Sequence, residues 1–133
     1  YCVMKIINII VRILIGAEML FLFSLATIWI CNIEKAKNLY KINSNSASGN
    51  NALASHIGGS FLIFIALVGI YFITKDDVWL LSAMLAVGVI FMTRIFSIAF
   101  SGISSYAWIA IINEILIMAL LWLERVRSIS NKH

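Results

Sequence analysis

Residues 6–33 read IINIIVRILIGAEMLFLFSLATIWICNI, a run of apolar side chains with few interruptions. Three shorter stretches have the same character, at residues 57–73, 78–100 and 106–123. A helix needs roughly 17 to 25 predominantly apolar residues to cross a bilayer, and each stretch reaches that length. Lipid leaves backbone groups without partners, and the stretches lack the alternation of barrel strands, so we predict four membrane-spanning helices. The predicted fold class is all-α, an integral membrane four-helix bundle.

The composition also indicates a membrane protein. Of the 133 residues, 62% are hydrophobic and 12% are charged, whereas soluble domains carry about 25% charged residues. The mean hydropathy is +1.01. We therefore predict a single transmembrane domain over residues 1–133. The net charge of +4 does not indicate nucleic acid, because the basic residues stand beside apolar runs, where they contact lipid headgroups. Membrane lipids, and no nucleic acid, are the expected partners.

The sequence shows no pattern typical of a metal or cofactor site. Cys2 and Cys31 lie at opposite ends of the first apolar run, roughly 40 Å apart along a helix, so they cannot pair within it. The sequence contains no CxxC, no CxxCH and no cysteine–histidine cluster. We predict no cofactor, no metal and no catalytic residue.

The connections between the predicted helices differ in length. Residues 34–55 form a polar loop, whereas residues 74–77 and 101–105 are tight turns. The start of the loop is either an amphipathic surface segment or a solvated linker. The distribution of basic residues predicts cytoplasmic termini, an extracytoplasmic loop and a multi-pass protein of the cell membrane. The side of the termini carries Lys5, Lys75, Arg125, Arg127 and Lys132, with Arg12 close enough to snorkel there, and the other side carries Lys35, Lys37 and Lys41.

Ionisable residues inside the predicted helices are costly, by roughly 2.5 to 3.5 kcal/mol each on insertion scales. Arg94 lies roughly 9 Å below the outer end of the third helix, and Glu114 roughly 12 Å below that of the fourth. The short turn between these helices places the two side chains at matching depth, which predicts an ion pair. Glu18 in the first helix either pairs with Arg94 after a shift of that helix or stays protonated. Asn113 is expected to hydrogen-bond to another helix.

Further polar residues extend this group towards the outer face. Ser97 follows Arg94 by one turn, and Ser60 lies one turn below His56 at the start of the second predicted helix. We expect the outer half of the bundle to be polar and the cytoplasmic half to be almost wholly apolar. A structural interpretation is equally open, in which the ion pair only fixes helix packing and register. The candidate ligand-binding residues are His56, Ser60, Arg94, Ser97 and Glu114, with Glu18 as a further intramembrane charge.

Short motifs in the second half of the chain carry a family resemblance. HIGGS at residues 56–60 opens the second predicted helix, RIFS at residues 94–97 is followed by Gly102, and Glu114 lies in the fourth helix. Over residues 55–123 the chain resembles the small uncharacterised four-helix bacterial membrane proteins near the DoxX-like family. The resemblance implies a compact four-helix bundle in a bacterial inner membrane. DoxX-like proteins include membrane subunits associated with quinone-linked oxidoreductases, but the resemblance implies no catalytic residue.

Three functions are open, in this order of preference. The lack of a nucleophile–base set or soluble domain favours a non-catalytic subunit or accessory of a membrane complex, bound to a membrane protein partner or a second copy. Convergence of His56, Arg94 and Glu114 would instead favour a binding protein or enzyme for a lipid-like or quinone-like ligand in the outer half. Glu18 in the first helix is compatible with a proton-coupled small-molecule transporter, although the arginine of the third helix fits that function poorly.

Overall fold

The chain is helical in the computed structural model, which describes residues 2–40, 42, 46–102 and 105–130. Within these ranges only short connections separate the helices, and the chain forms no strand. The predicted all-α class is therefore confirmed. The elements in chain order are α1 (Cys2–Cys31), α2 (Ile33–Tyr40), α3 (Ala47–Leu53), a π-helical segment (Ala54–Gly58), α4 (Gly59–Thr74), α5 (Asp77–Ser101) and α6 (Ser105–Ser130).

Four helical runs are long and apolar enough to cross a membrane. Each has 24 to 28 residues, so each exceeds the roughly 30 Å thickness of the hydrocarbon core at 1.5 Å per residue. Their outward side chains are apolar, as at Leu20, Ile73 and Phe100, which are 71%, 84% and 89% exposed. Such surfaces suit contact with lipid. The runs are Ile6–Cys31, Ala47–Thr74, Asp77–Phe100 and Ala107–Ser130.

The ends of α5 are set by local backbone chemistry. The Asp76 carboxylate accepts a hydrogen bond from the Val78 N–H at 3.1 Å and caps the start of the helix. Lys75, just before it, has φ 58°, a left-handed conformation that helps to turn the chain out of α4. Gly102 has φ 78° and donates its N–H to the Ile98 carbonyl at 2.9 Å, which ends α5. Both connections of α5 are therefore short.

The polar segment at residues 34–55 contains helices as well as connections. It begins inside α2, so its start is helical. Ser46 caps α3 by accepting a hydrogen bond from the Gly49 N–H at 3.0 Å. α3 then continues through the π-helical segment into α4, so this helical run begins well before the predicted residue 57. Hydropathy misses this start because a capped first turn can be built from polar residues.

The described residues group into two compact units. The first comprises the residues up to Glu18 and those from Leu67 onward, so it holds the first part of α1, the end of α4, and all of α5 and α6. Within it, α5 and α6 form the most extensive helix pair. Its core is built from apolar side chains spaced at helical intervals. Among the buried residues are Val11, Ile15, Val68, Tyr71, Leu80, Ala83, Val87, Ile111, Ile117 and Leu121.

The second unit spans Met19–Ala66 and is organised around Trp29. Trp29 is fully buried, and its ring meets that of Tyr40 edge-on with 5.0 Å between the centroids. Gly58 packs against the same part of α1, because a Cβ at this position would lie 3.3 Å from Trp29 Cβ and 3.2 Å from Ile30 Cγ1. The glycine therefore permits a close helix approach that a larger residue would disturb.

Candidate functional site

Arg94 of α5 and Glu114 of α6 form an ion pair in the first unit. Arg94 donates from Nε and Nη2 to Glu114 Oε1 at 2.9 and 2.8 Å. The arginine side chain is 30% exposed and the glutamate side chain 10% exposed. The pair predicted from matching depths is therefore present. Its two donors share one oxygen, while Oε2 is buried and has no hydrogen-bond partner among the described residues.

Glu114 reaches the interior because it belongs to the buried stripe of α6. Ala107, Ile111, Ile117 and Leu121 are buried at intervals of four to six residues, and Glu114 stands three residues from both Ile111 and Ile117. Such spacing places all five side chains on one face of the helix. A charge on this face requires a partner, which the neighbouring α5 supplies through its arginine.

An apolar groove with a volume of about 640 Å³ lies between α5 and α6 beside this pair. Glu114 is the one ionisable side chain among the described residues that line it. Its volume falls within the range of roughly 300 to 1,000 Å³ that is common for small-molecule sites. The groove can therefore hold an apolar molecule beside the ion pair. The lining includes Met84, Phe91, Met118, Ala119 and Trp122.

The other predicted ligand-binding residues lie elsewhere in the chain. Ser97 is exposed on α5, although it follows Arg94 by one turn. His56 and Ser60 belong to the second unit, where His56 is exposed in the π-helical segment. The Ser60 hydroxyl donates to the Ile57 carbonyl at 2.8 Å, a bond to its own helix. The structure thus brings Arg94 and Glu114 together, and the predicted convergence of the serines and histidine on the same ligand stays a prediction.

Glu18 uses a different partner from the arginine of α5. It hydrogen-bonds to the side chain of Asn113 and so links α1 to α6 in the first unit. Its Oε2 is buried and has no hydrogen-bond partner in the described part of the chain. The guanidinium of Arg94 is directed to Glu114 instead. The expected hydrogen bond from Asn113 to another helix is therefore confirmed.

A second buried carboxylate, Glu124 of α6, was not predicted. Its residue surface is 0% exposed. Oε1 accepts hydrogen bonds from the Tyr71 hydroxyl at 3.0 Å and from Arg127 Nη2, and both Nε and Nη2 of Arg12 lie 3.4 Å away. Oε2 has no hydrogen-bond partner among the described residues. We call these four residues the Glu124 centre.

Ser128, one turn after Glu124, joins α6 to α5. The Ser128 hydroxyl donates to Asp77 Oδ1 at 2.8 Å. The end of α4 and the start of α5 therefore both lie near the part of α6 that carries the Glu124 centre. The charge distribution predicts that this end is cytoplasmic, and a buried charged centre at this end was not expected from the sequence. Arg12, which was expected to snorkel, is directed to Glu124.

The helical spacing of α6 indicates that Glu124 is buried, which hydropathy does not indicate. The predicted fourth helix stopped at residue 123, where charged residues begin, but α6 continues to Ser130. The buried positions Ile117 and Leu121 lead to Glu124 at seven and three residues, on the same stripe. Arg127 then stands one turn further on, within reach of the carboxylate. Extending the buried stripe past the apolar run would have found this residue.

The second unit also contains a buried cation, Lys37 of α2. Its side chain is 9% exposed, and Nζ lies 2.8 Å from Glu34 Oε1. It also donates to Asn50 Oδ1 at 3.4 Å, which ties α2 to α3. The buried ammonium is thus held by residues of its own unit, as burial of a charge requires.

The buried charged residues described above form ion pairs and hydrogen bonds between helices. In the described part of the chain, no three histidine, cysteine, aspartate or glutamate side chains are grouped so that they could hold a metal ion.

Comparison with known proteins finds no match to this chain among family models, curated proteins or solved structures. Fold and site together define a class of protein: all-helical, with four helices able to span a membrane and with charged side chains paired between them.

Proposed function

We propose that this chain is a multi-pass protein of the bacterial inner membrane and acts as a non-catalytic subunit or accessory of a membrane complex. In this proposal the four apolar helices form a bundle, both termini face the cytoplasm, and residues 34–55 face outside. The proposal includes a relationship to the DoxX-like proteins, which rests on the motifs at residues 56–60 and 94–97. The expected partners are membrane lipids and one membrane protein or a second copy, and not nucleic acid.

The observation that carries this proposal is the mutual pairing of the intramembrane charges. A catalytic acid or base must reach a substrate to exchange a proton with it. In this chain the carboxylates of Glu18, Glu114 and Glu124 are instead bound by side chains of other helices. Interactions of this type fix the packing and register of helices in a membrane. The contacts between helices are Arg94–Glu114, Arg12–Glu124 and Glu18–Asn113, and Arg127 adds an ion pair to Glu124 within α6.

An apolar stripe on α1 is the surface that we assign to the partner. Ile6, Ile9, Ile10 and Ile13 are between 49% and 63% exposed. Their spacing of three, four and seven residues places them on one face of the helix. Stripes of this spacing are the usual contact surface between helices, since side chains one turn apart form the ridges that interlock.

Purification from the native membrane in mild detergent tests the subunit proposal. We expect native mass spectrometry to show a second protein, or a second copy, in a fixed stoichiometry. The double variant Ile9→Ala/Ile13→Ala should release it. The matched double variant Ile109→Ala/Ile112→Ala on α6, whose side chains are 65% and 64% exposed, should not. A solitary wild-type monomer that retains a small molecule would contradict the proposal.

A second function is favoured by the groove beside Glu114. An apolar groove lined by one member of an ion pair suits the apolar body of a lipid-like or quinone-like ligand. In this alternative the chain is a binding protein or an enzyme for such a molecule. Arg94 and Glu114 would orient the head, and the predicted residues His56, Ser60 and Ser97 would contribute if they converge on it.

Native mass spectrometry of the bound small molecules tests this second function. We expect a bound apolar molecule in the wild-type protein and its loss in Arg94→Leu, because the substitution removes the ion-pair partner of Glu114 beside the groove. Lys35→Leu removes a positive charge from an exposed position on α2 and should retain the molecule. Unchanged binding and unchanged fold stability in Arg94→Leu would exclude the ligand-binding function.

A further inference from the structure

Arg125 of α6 is a cation without a counter-charge in the described part of the chain. Its guanidinium carbon lies 5.8 Å from the centroid of the Trp122 ring, a cation–π contact. It forms no ion pair with a described residue, whereas Arg12, Arg94 and Arg127 each pair with a glutamate. Nε is buried without a hydrogen-bond partner, but the two terminal nitrogens are not buried, and the residue is partly exposed. The end of this side chain is therefore accessible to an anion.

The acidic side chains at this end of the first unit are already bound by other groups. Glu124 binds two arginines, Asp76 caps α5, and Asp77 accepts a hydrogen bond from α6. Among the described residues, this end carries one more basic than acidic side chain. The four basic residues are Arg12, Lys75, Arg125 and Arg127, and the three acidic residues are those just named. The electrostatic field of this end thus favours an anionic ligand.

The position of Arg125 along the helix axis is that of a lipid headgroup. Ser128 donates to Asp77, the first residue of α5, so the end of α6 and the start of α5 lie side by side. Arg125 precedes Ser128 by three residues and lies roughly 4.5 Å further along the helix axis, towards the apolar part of α6. The membrane-spanning run of α5 also begins at Asp77. At this depth arginine and tryptophan side chains collect beside the headgroups of a bilayer.

The apolar groove between α5 and α6 begins beside Arg125 and fits an acyl chain. Trp122 and Leu123 line one end of it, and Glu114 lies roughly 14 Å away along α6. Ile115 and Trp122 are 54% and 52% exposed, so the groove is accessible from the lipid side. Glu114 is only 10% exposed, and the other described lining residues are uncharged. The groove therefore offers contacts to an alkyl chain, whereas a charged head is favoured outside it, at Arg125.

We propose that an anionic glycerophospholipid binds to the first unit, with its phosphate on Arg125 and one acyl chain in the α5–α6 groove. A guanidinium donates two parallel hydrogen bonds to a phosphate, and both are charge-assisted. The inference goes beyond both functions proposed above. It shares only the groove with the second function, and it places the polar head at the opposite end from the Arg94–Glu114 pair.

Photo-crosslinking in nanodiscs of phosphatidylcholine tests the inference. Two probes carry the same acyl chains, one of them with a diazirine, and differ only in the head: phosphatidylglycerol and phosphatidylcholine. We expect the phosphatidylglycerol probe to label the peptide that contains Met118 roughly tenfold more, the factor for one charge-assisted hydrogen bond. Unlabelled phosphatidylglycerol mixed into the bulk lipid should suppress this labelling, and palmitate should not.

Variants of two basic residues at the same end test the head. Arg125→Gln removes the charge and should reduce labelling by phosphatidylglycerol to the level of phosphatidylcholine, whereas Arg125→Lys keeps the charge and should retain most of the preference. Lys75→Gln is the matched control. It removes one positive charge from an exposed residue that contacts Tyr71 and Phe72 and does not line the groove, so the preference should remain.

Variants of two alanines test the acyl chain. Ala119→Phe fills the groove and should abolish labelling of the Met118 peptide by both probes. Ala66→Phe, at an exposed position of α4 outside the groove, should leave it unchanged.

Several results would overturn the inference. Equal labelling of the wild-type protein by the two probes would remove the phosphate site and leave at most an unselective lipid groove. An equal loss of preference in Lys75→Gln and Arg125→Gln would attribute the preference to the charge of the whole surface. Labelling by neither probe would show that something else covers the groove, and competition by palmitate would show that any acidic amphiphile suffices.

These results are separate from the test of the second function. That function predicts the loss of a bound molecule in Arg94→Leu, a residue that the phospholipid site does not use. The comparison of the two probes on the wild-type protein needs no variant, so the test holds even if a substitution impairs folding.

Discussion

The Tyr71 hydroxyl donates a 3.0 Å hydrogen bond to Oε1 of Glu124, which joins the end of α4 to α6 inside the first unit. The same oxygen receives Arg127, and Arg12 lies 3.4 Å from it. A fully buried carboxylate is tolerated only where donors surround it. The packing of α1, α4 and α6 therefore depends on donors to one atom, and changes at this atom should affect the stability of the whole unit.

Tyr71→Phe tests the contribution of the hydroxyl. The substitution keeps the ring and removes one donor to a charged acceptor, so we expect the free energy of unfolding to fall by about 1.5 to 3 kcal/mol. Unfolding in mixed micelles with increasing SDS gives this quantity. Thr27→Val serves as a control, because its hydroxyl bonds the Phe23 carbonyl of its own helix at an exposed position. A loss no larger than that of the control would contradict the assigned role.

Glu124→Gln tests the need for a charge at the centre. It leaves Arg12 and Arg127 without their anion, and breaking a buried ion pair costs about 3 to 5 kcal/mol. Lys35→Gln, which removes a charge at an exposed position of α2, should have little effect. Replacing all three members by apolar residues, as in Arg12→Met/Glu124→Leu/Arg127→Met, should recover most of the loss, since no charge is then left unpaired. Equal stability of the single and triple variants would argue against an ion-pair centre.

Two adjacent glycines provide a matched test of packing in the second unit. A Cβ at Gly58 would meet Ile30 Cγ1 at 3.2 Å and Trp29 Cβ at 3.3 Å, whereas a Cβ at Gly59 would meet nothing within 4 Å. Gly59→Ala should therefore stabilise the protein by about 0.5 to 1 kcal/mol through its helix preference. Gly58→Ala should destabilise it by about 1 to 3 kcal/mol through overpacking. Parallel unfolding measurements compare the two variants, and similar values for both would refute the close approach.

Thiol labelling on intact cells tests the proposed orientation. Cys31 is an exposed free cysteine at the end of α1, on the side that we predict to be extracytoplasmic. In a Cys2→Ser background, a membrane-impermeant maleimide should label Cys31 from outside. With Cys31→Ser and Lys75→Cys, labelling should require opening of the membrane, because the α4–α5 turn is predicted to be cytoplasmic. The reverse pattern would invert the topology.

The apolar runs and their spacing were sufficient to predict four helices of membrane-spanning length. In lipid, a single apolar segment can satisfy its backbone hydrogen bonds only as a helix. The Arg94–Glu114 pair was also predictable. When a short turn joins two antiparallel helices, residues at similar distances from the turn lie at similar depth, and these distances can be counted along the chain. The start of the second helical run at Ala47 was not predictable from hydropathy, because Ser46 caps a polar turn that hydropathy assigns to a loop. The groove was not predicted, since it arises from how α5 and α6 pack.

The sequence by itself thus determined the helical class, the long apolar runs and one ion pair, all of which depend on residues close together in the chain or on adjacent helices. Only the tertiary structure decided that Glu124 is buried and that Arg12, 112 residues away in sequence, is directed to it. It also decided that the donors to Glu114 converge on one oxygen and leave the other without a partner among the described residues. The physical reason is that helix rotation and tilt, set by packing over the whole unit, choose which side chains meet.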